Sequence, residues 1–127
     1  MDWTSYEKPS GRILYFGDAA NEQECLLQGE NVIVGKAFDD ADFYVVDGEA
    51  VPRPTLSISP IYLIEADGVD TVKFPLIEGT VVTFSDDMFT AGEDEEFEFL
   101  TDYQGTYTFN IDPPFPYLSM EVIINAI

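Results

Sequence analysis

Histidine is absent from the sequence, cysteine occurs once, and only five residues are lysine or arginine. Without histidine the chain cannot build a Ser-His-Asp or Cys-His nucleophile, and it has no imidazole for acid–base chemistry near neutral pH or for metal ligation. The single Cys25 cannot form an internal disulfide, so the fold must depend on a hydrophobic core. We interpret Cys25 as a packed structural residue, since no basic residue lies near it in sequence to activate the thiol.

The few basic residues stand against 25 aspartate and glutamate residues, which give the 127-residue chain a formal charge of −20. Such a chain has no basic patch to neutralise phosphates or to dock on anionic lipid, so we expect neither nucleic acid nor a membrane as partner. The N-terminal residues lack the basic and apolar regions of a signal peptide, and no apolar run approaches the ~20 residues that span a bilayer. We therefore expect synthesis in a cytoplasm without membrane insertion.

What the chain does contain is enough apolar material for a folded domain, with 46% hydrophobic and 14% aromatic residues. Short β-branched and aromatic runs punctuated by Gly, Pro and Asp indicate strands almost throughout. In the first part of the chain we predict strands at residues 12–16, 31–34, 43–46 and 49–51, the first of them buried or half-buried, with a type I′ turn at Asp47-Gly48. Only residues 19–28 have a helix-favouring composition, and they allow two or three turns at most.

The segment Pro52-Arg53-Pro54 interrupts this pattern and marks a predicted domain boundary, because two prolines favour an extended linker. Residues 1–54 then form a small N-terminal β module of net charge −7, and residues 55–127 form a second domain of net charge −13. In the second domain the predicted strands are residues 55–59, 61–65, 71–76, 80–84, 95–101, 106–111 and 117–125, separated by turn signals that include Asp86-Asp87. Seven short strands at this spacing are typical of a β-sandwich or a barrel, so the predicted fold class is all-β.

The stretch from Asp102 to Phe109 carries a more specific pattern. Asp102, Gly105 and Tyr107 have the spacing of the tyrosine corner of immunoglobulin-like sandwiches, and Phe109 stands where a cysteine usually follows. The second domain matches further in residues 65–72, 75–83, 97–99 and 116–126, and the first in residues 11–14, 32–35 and 44–49. By these motifs the chain resembles the tail-region proteins of tailed bacteriophages, which carry disulfide-free immunoglobulin-like domains behind short N-terminal modules.

The resemblance implies a non-enzymatic structural component of a virion, in the tail, a tail fibre or its attachment. It implies no catalytic residue and no cofactor. It implies that residues 1–54 bind other virion proteins in a multi-copy symmetric assembly, while the immunoglobulin-like domain is displayed, with a host surface glycan or receptor as a further partner. The expected location is the virion tail region, after synthesis in the bacterial host.

Four aromatic residues are candidate partner contacts. Trp3 and Tyr6 lie in a short segment before the first predicted strand, where they either fill a pocket on a partner or fold back onto their own sheet. Phe115 and Tyr117 lie in a proline-rich loop, which is either a contact surface or a bend that leads into the last strand.

The acidic residues suggest two further functions. Glu93-Asp94-Glu95-Glu96 together with Asp86-Asp87 could bind Ca²⁺, but no Asp-x-Asp-x-Asp-Gly loop is present, which favours solvated loops. Asp67-Gly68-Val69-Asp70 reads first as a turn. The alternative overall function is a DNA mimic, whose carboxylates imitate phosphates and inhibit a nucleic-acid-binding host protein.

Overall fold

The computed structural model describes all residues from Met1 to Ile127, and the chain divides into two compact units, Met1–Pro54 and Thr55–Ile127. The predicted all-β class is confirmed, because twelve strands and one short helix make up the regular structure. The division lies directly after Pro52-Arg53-Pro54. Each unit has its own sheets and its own buried residues.

The first unit contains a three-stranded antiparallel sheet and a hairpin. The sheet has the order β2-β1-β3, with β1 at Asp2–Tyr6, β2 at Ile13–Asp18 and β3 at Val32–Val34. Helix α1, Glu22–Leu26, connects β2 to β3, and the side chain of Asn21 caps it by accepting from the Glu24 N–H at 3.0 Å. Cys25 is fully buried, with its Sγ 3.5 Å from the Met1 carbonyl oxygen, which confirms its packed role.

The hairpin of the first unit pairs β4, Phe43–Val46, with β5, Glu49–Pro52. Asp47 and Gly48 have φ angles of 51° and 82°, as a type I′ turn requires, so the predicted turn is confirmed. The hairpin joins the rest of the unit at Gly11, whose carbonyl accepts the Val45 N–H at 2.8 Å. A Cβ at Gly11 would lie 1.9 Å from the Val45 carbonyl oxygen, so only glycine allows this contact.

The second unit is a sandwich of a five-stranded and a two-stranded sheet. The larger sheet has the order β6-β12-β11-β8-β9 and the smaller pairs β7 with β10. The strands are β6 (Ile61–Ile64), β7 (Val72–Pro75), β8 (Val81–Phe84), β9 (Asp87–Thr90), β10 (Glu96–Phe99), β11 (Gly105–Asp112) and β12 (Met120–Ala126). All neighbours are antiparallel except β6 and β12, which run parallel.

This strand order corresponds in part to that of an immunoglobulin-like sandwich, although the smaller sheet has only two strands and no strand stands in the place of D. β7 and β10 take the places of strands B and E, and β8, β9, β11 and β12 take those of C, C′, F and G. The predicted tyrosine corner is present at the start of β11, where the Tyr107 hydroxyl donates to the Tyr103 carbonyl at 2.9 Å. Phe109 is buried two residues later and stacks on Phe84, with ring centroids 4.7 Å apart.

The predicted strand pattern differs from the structure in three places. Residues 55–59 form no strand, because no neighbouring strand pairs with them. The predicted turn at Asp86-Asp87 is present at Ser85-Asp86. The strand that follows it was not predicted: Asp87 begins β9, which pairs with β8. The segment containing Trp3 and Tyr6 does not precede the first strand: it is β1, the central strand of its sheet.

Candidate interaction surfaces

Trp3 packs on its own sheet. Its side chain is 9% exposed and crosses Gly17 on β2, where an added Cβ would lie 3.2 Å from Cζ2 of the indole. The indole Nε1 is buried without a hydrogen-bond partner. Of the two interpretations for this residue, the structure corresponds to the one in which the side chain folds back onto its own sheet.

Tyr6, at the end of β1, is half-buried, and its N–H donates to the Asn31 carbonyl at 3.0 Å. Its side chain borders two shallow depressions of about 220 Å³ and 320 Å³. Lys8 borders both of them. Tyr6 therefore reaches the surface of the first unit, unlike Trp3, although both belong to one strand.

Phe115 and Tyr117 lie in the loop between β11 and β12, and both are half-buried. Tyr117 borders an open groove of about 390 Å³ together with Leu56, Ile58 and Tyr62. The four candidate residues are thus divided between the units, with Trp3 and Tyr6 in the first and Phe115 and Tyr117 in the second.

The acidic segments lie mostly in loops and turns, although Asp87 begins β9 and Glu96 begins β10. No group of three or more Asp, Glu, Cys or His side chains is arranged to hold a metal ion. Glu93, Asp94, Glu95 and Glu96 are all exposed, and Asp94 has a φ of 57°. The Asp67 carboxylate accepts the N–H groups of Asp70 and Val69 at 2.8 Å and 2.9 Å, and these bonds lower the pKa of Asp67. The prediction of a turn at Asp67-Gly68-Val69-Asp70 is confirmed.

The most exposed apolar strand of the first unit is β2, which sequence reasoning interpreted as buried or half-buried. Leu14, Tyr15 and Phe16 are 48%, 69% and 47% exposed. β2 is also an edge strand, because only β1 pairs with it. A run of three apolar residues predicts burial only where layers cover both faces of the strand, and neither face of β2 is covered at these positions.

The backbone of β2 presents an open edge. The Ala19 N–H donates to the Met1 carbonyl at 2.8 Å. Because backbone groups alternate in direction along an antiparallel ladder, the N–H and C=O groups of Gly17 and Tyr15 point toward β1. The N–H and C=O groups of Phe16 and Asp18 then point away from the sheet. β2 contains neither proline nor lysine, the residues that commonly protect an edge strand.

The second unit shows such protection at β7. The Leu76 N–H donates to the Glu95 carbonyl at 3.0 Å, which places the nitrogen of Pro75 and the backbone of Lys73 on the open side of β7. Proline offers no donor there, and the lysine charge opposes pairing with another chain. The open edge of β2 is therefore a property of that strand and not of every edge in the molecule.

No helix of the chain combines the length and the apolar character that crossing a membrane requires. Comparison of the chain with models of protein families, with curated proteins and with solved structures gives no match.

Proposed function

We propose that the chain is a structural component of the tail region of a tailed-phage virion, and that its first unit attaches it to a neighbouring virion protein. The sequence resemblance supports the location. The observation that carries the attachment is the open apolar edge of β2, with Leu14, Tyr15 and Phe16 exposed on a strand that has a partner on one side only.

The mode of attachment is strand addition. An extended segment of the neighbouring protein pairs with the free backbone groups of Phe16 and Asp18 and extends the three-stranded sheet. The exposed side chains of Leu14, Tyr15 and Phe16 then supply apolar area on both faces of the new pair. The strand has a single charge, at Asp18, so the contact needs little desolvation of ionised groups.

The location is tested by a mass-spectrometric inventory, with copy number, of purified particles of a phage that encodes the chain. We expect the full-length chain in the particles at an integral multiple of the tail symmetry. Its absence from particles, while the free protein accumulates in the lysate, would overturn the proposal.

The attachment is tested with Phe16→Pro in the full chain. Proline removes the outward N–H of Phe16 and leaves the bonds of Gly17 and Tyr15 to β1, and the fluorescence of Trp3 reports whether the first unit is folded. The matched control is Met88→Pro, on the edge strand β9 of the second unit. We expect Phe16→Pro to reduce incorporation at least tenfold and Met88→Pro to leave it unchanged. The reverse result would assign attachment to the second unit.

A further inference from the structure

The two outer faces of the immunoglobulin-like unit differ in charge. The outward residues of the smaller sheet are Lys73, Pro75, Glu96 and Glu98, and Lys73 lies 3.6 Å from Glu96 in an ion pair. The outward face of the larger sheet carries only two charged residues, Glu121 and Asp112, both toward one end of the strands. Fourteen acidic residues belong to this unit, so almost all of them lie elsewhere.

The uncharged part of the larger face, here called the neutral face, consists of two adjacent rows across β6, β12 and β11. The rows are Ile61, Ile123 and Thr108, and Leu63, Asn125 and Thr106. The Thr106 hydroxyl donates to Oδ1 of Asn125 at 3.0 Å, which confirms that these side chains share one side of the sheet. Ile61 and Leu63 are 59% and 68% exposed, so the neutral face ends in an apolar border.

The net charge of the chain determines which kind of partner can bind the neutral face. A basic protein would bind the acidic loops, where its charges find partners, and would gain no electrostatic energy from the neutral face. A second copy, also at −20, is repelled wherever acidic loops meet, and it can approach closely where both surfaces lack charge, as they do on the neutral face. Screening over about 8 Å at physiological ionic strength weakens the repulsion from the acidic residues around the border.

The size of the sheet sets the strength of such a contact. Five strands spaced about 4.8 Å apart, with about six residues each rising about 3.3 Å, give a face of roughly 24 by 20 Å. Two copies that meet over the whole larger face, of which the neutral face is the part across β6, β12 and β11, bury on the order of 1,000 Å² in total, which is at the lower limit of specific interfaces. The expected association is therefore weak and depends on concentration, as suits copies that are held close together in a larger assembly.

We propose that two copies of this chain associate through their neutral faces, sheet against sheet. The contact places Ile61, Leu63 and Ile123 of one copy against the face of the other, and the Thr and Asn side chains supply polar contacts between them. It uses the second unit and does not depend on the attachment through β2.

The test is sedimentation velocity of the full chain over a range of protein and salt concentrations. We expect a monomer–dimer equilibrium that strengthens several-fold from 0.05 to 0.5 M NaCl, because salt screens the repulsion between two acidic copies. A chain that stays monomeric up to millimolar concentration at high salt would overturn the proposal. Association that weakens with salt would also overturn it, since that dependence belongs to a contact between opposite charges.

The surface is tested with Leu63→Glu and Thr108→Glu, which each place one extra charge on the neutral face. The matched control is Val69→Glu, which adds the same charge at an apolar side chain of similar exposure, 77%, outside the larger sheet. We expect each variant on the face to weaken the dimer at least tenfold and the control to have less than a twofold effect. Equal effects of all three, or loss of the dimer in Phe16→Pro alone, would show that the copies meet elsewhere.

Discussion

The two units of the chain are stabilised in different ways. The second unit buries twelve apolar residues in one continuous cluster between its sheets. The first unit, only somewhat shorter, buries four, namely Trp3, Ile13, Cys25 and Val45. It also buries Thr4 and Ser5 in its central strand, where their hydroxyls form hydrogen bonds to the backbone.

The unit with the smaller apolar core is also the unit that exposes an apolar edge strand. A unit of about 55 residues with few buried apolar side chains is marginal, because small domains bury a low fraction of their apolar area. The same unit exposes Leu14, Tyr15 and Phe16 on β2, so a partner at that edge would add the apolar burial that the unit lacks. The second unit gains less from a partner, since its own core is already extensive.

The lone tryptophan allows the two units to be followed separately. Trp3 is the only tryptophan and lies in the first unit, so its fluorescence reports the unfolding of that unit alone. Far-ultraviolet circular dichroism reports the strands of both. In urea we expect the fluorescence transition to precede the main circular-dichroism transition.

Phe109→Ala is expected to have the largest effect, confined to the second unit. The Phe109 ring lies 4.7 Å from that of Phe84 and 5.0 Å from that of Phe97, centroid to centroid, so its removal leaves a large cavity between the sheets. We expect a loss of about 3–5 kcal/mol, measured by urea unfolding with circular dichroism. Phe89→Ala, at a half-exposed position of β9, is the control and should cost much less. A parallel shift of the Trp3 transition would mean that the units unfold as one.

Thr4→Val is expected to be the most damaging polar change, and to act on the first unit. The Thr4 hydroxyl donates to the Lys36 carbonyl and accepts the Phe38 N–H, each at 2.9 Å, and valine leaves both backbone groups without this partner. We expect a loss of about 1–3 kcal/mol in the Trp3 transition. Thr108→Val, on an exposed strand, should stay within about 0.5 kcal/mol. A neutral Thr4→Val would contradict the view that hydrogen bonds compensate for the small core.

Tyr107→Phe removes the bond of the tyrosine corner and the contact of the same hydroxyl with Thr101 Oγ1 at 3.3 Å. The phenyl ring can keep its packing on Phe99, whose centroid lies 4.9 Å away, while the 2.9 Å bond to the Tyr103 carbonyl is lost. We expect the second unit to lose about 1 kcal/mol. Tyr103→Phe retains that carbonyl and serves as the control. If wild type and Tyr107→Phe were equally stable, the hydrogen bond of the tyrosine corner would contribute nothing to the stability of the second unit.

Asp67→Asn is expected to have the smallest effect, visible in its pH dependence. Backbone N–H groups lower the pKa of Asp67 below its usual 3.8, so the charged form stabilises the folded second unit. This contribution is fully present above pH 3.8 and is lost as the pH falls through the lowered pKa. The difference in stability between wild type and Asp67→Asn should therefore be present at pH 7 and disappear in acid. Glu98→Gln is the control for the loss of one negative charge. If the difference in stability between wild type and Asp67→Asn were the same in acid as at pH 7, the stabilising role of the charged Asp67 would be contradicted.

Local chemistry made part of the fold predictable. Asp47-Gly48 specifies its turn through two positive φ angles. The spacing of Asp102, Gly105 and Tyr107 predicted the tyrosine corner, whose hydrogen bond reaches the Tyr103 carbonyl. Both depend on residues within a few positions of one another. Of the two prolines in the predicted linker, Pro52 is instead the last residue of β5, and Pro54 is the last residue of the first unit.

The misinterpreted elements depend on distant partners. β1 has no apolar alternation, because Thr4 and Ser5 are buried through hydrogen bonds that no pattern of hydropathy reveals. The 55–59 segment has strand-forming residues but no strand beside it. The candidate surface on β2 was missed for the same reason, since the exposure of Leu14 and Phe16 depends on what the rest of the chain leaves uncovered.

The close approach at Gly11 has a consequence for recognising relatives of this chain. The position cannot accept any side chain while Val45 keeps its place, whereas Leu63 or Tyr15 can change without moving the backbone. In a set of diverging sequences such exposed positions would drift first, and this glycine would persist with the Asp-Gly turn 36 residues later. That spaced pair is the signature by which distant copies of the first unit could be found.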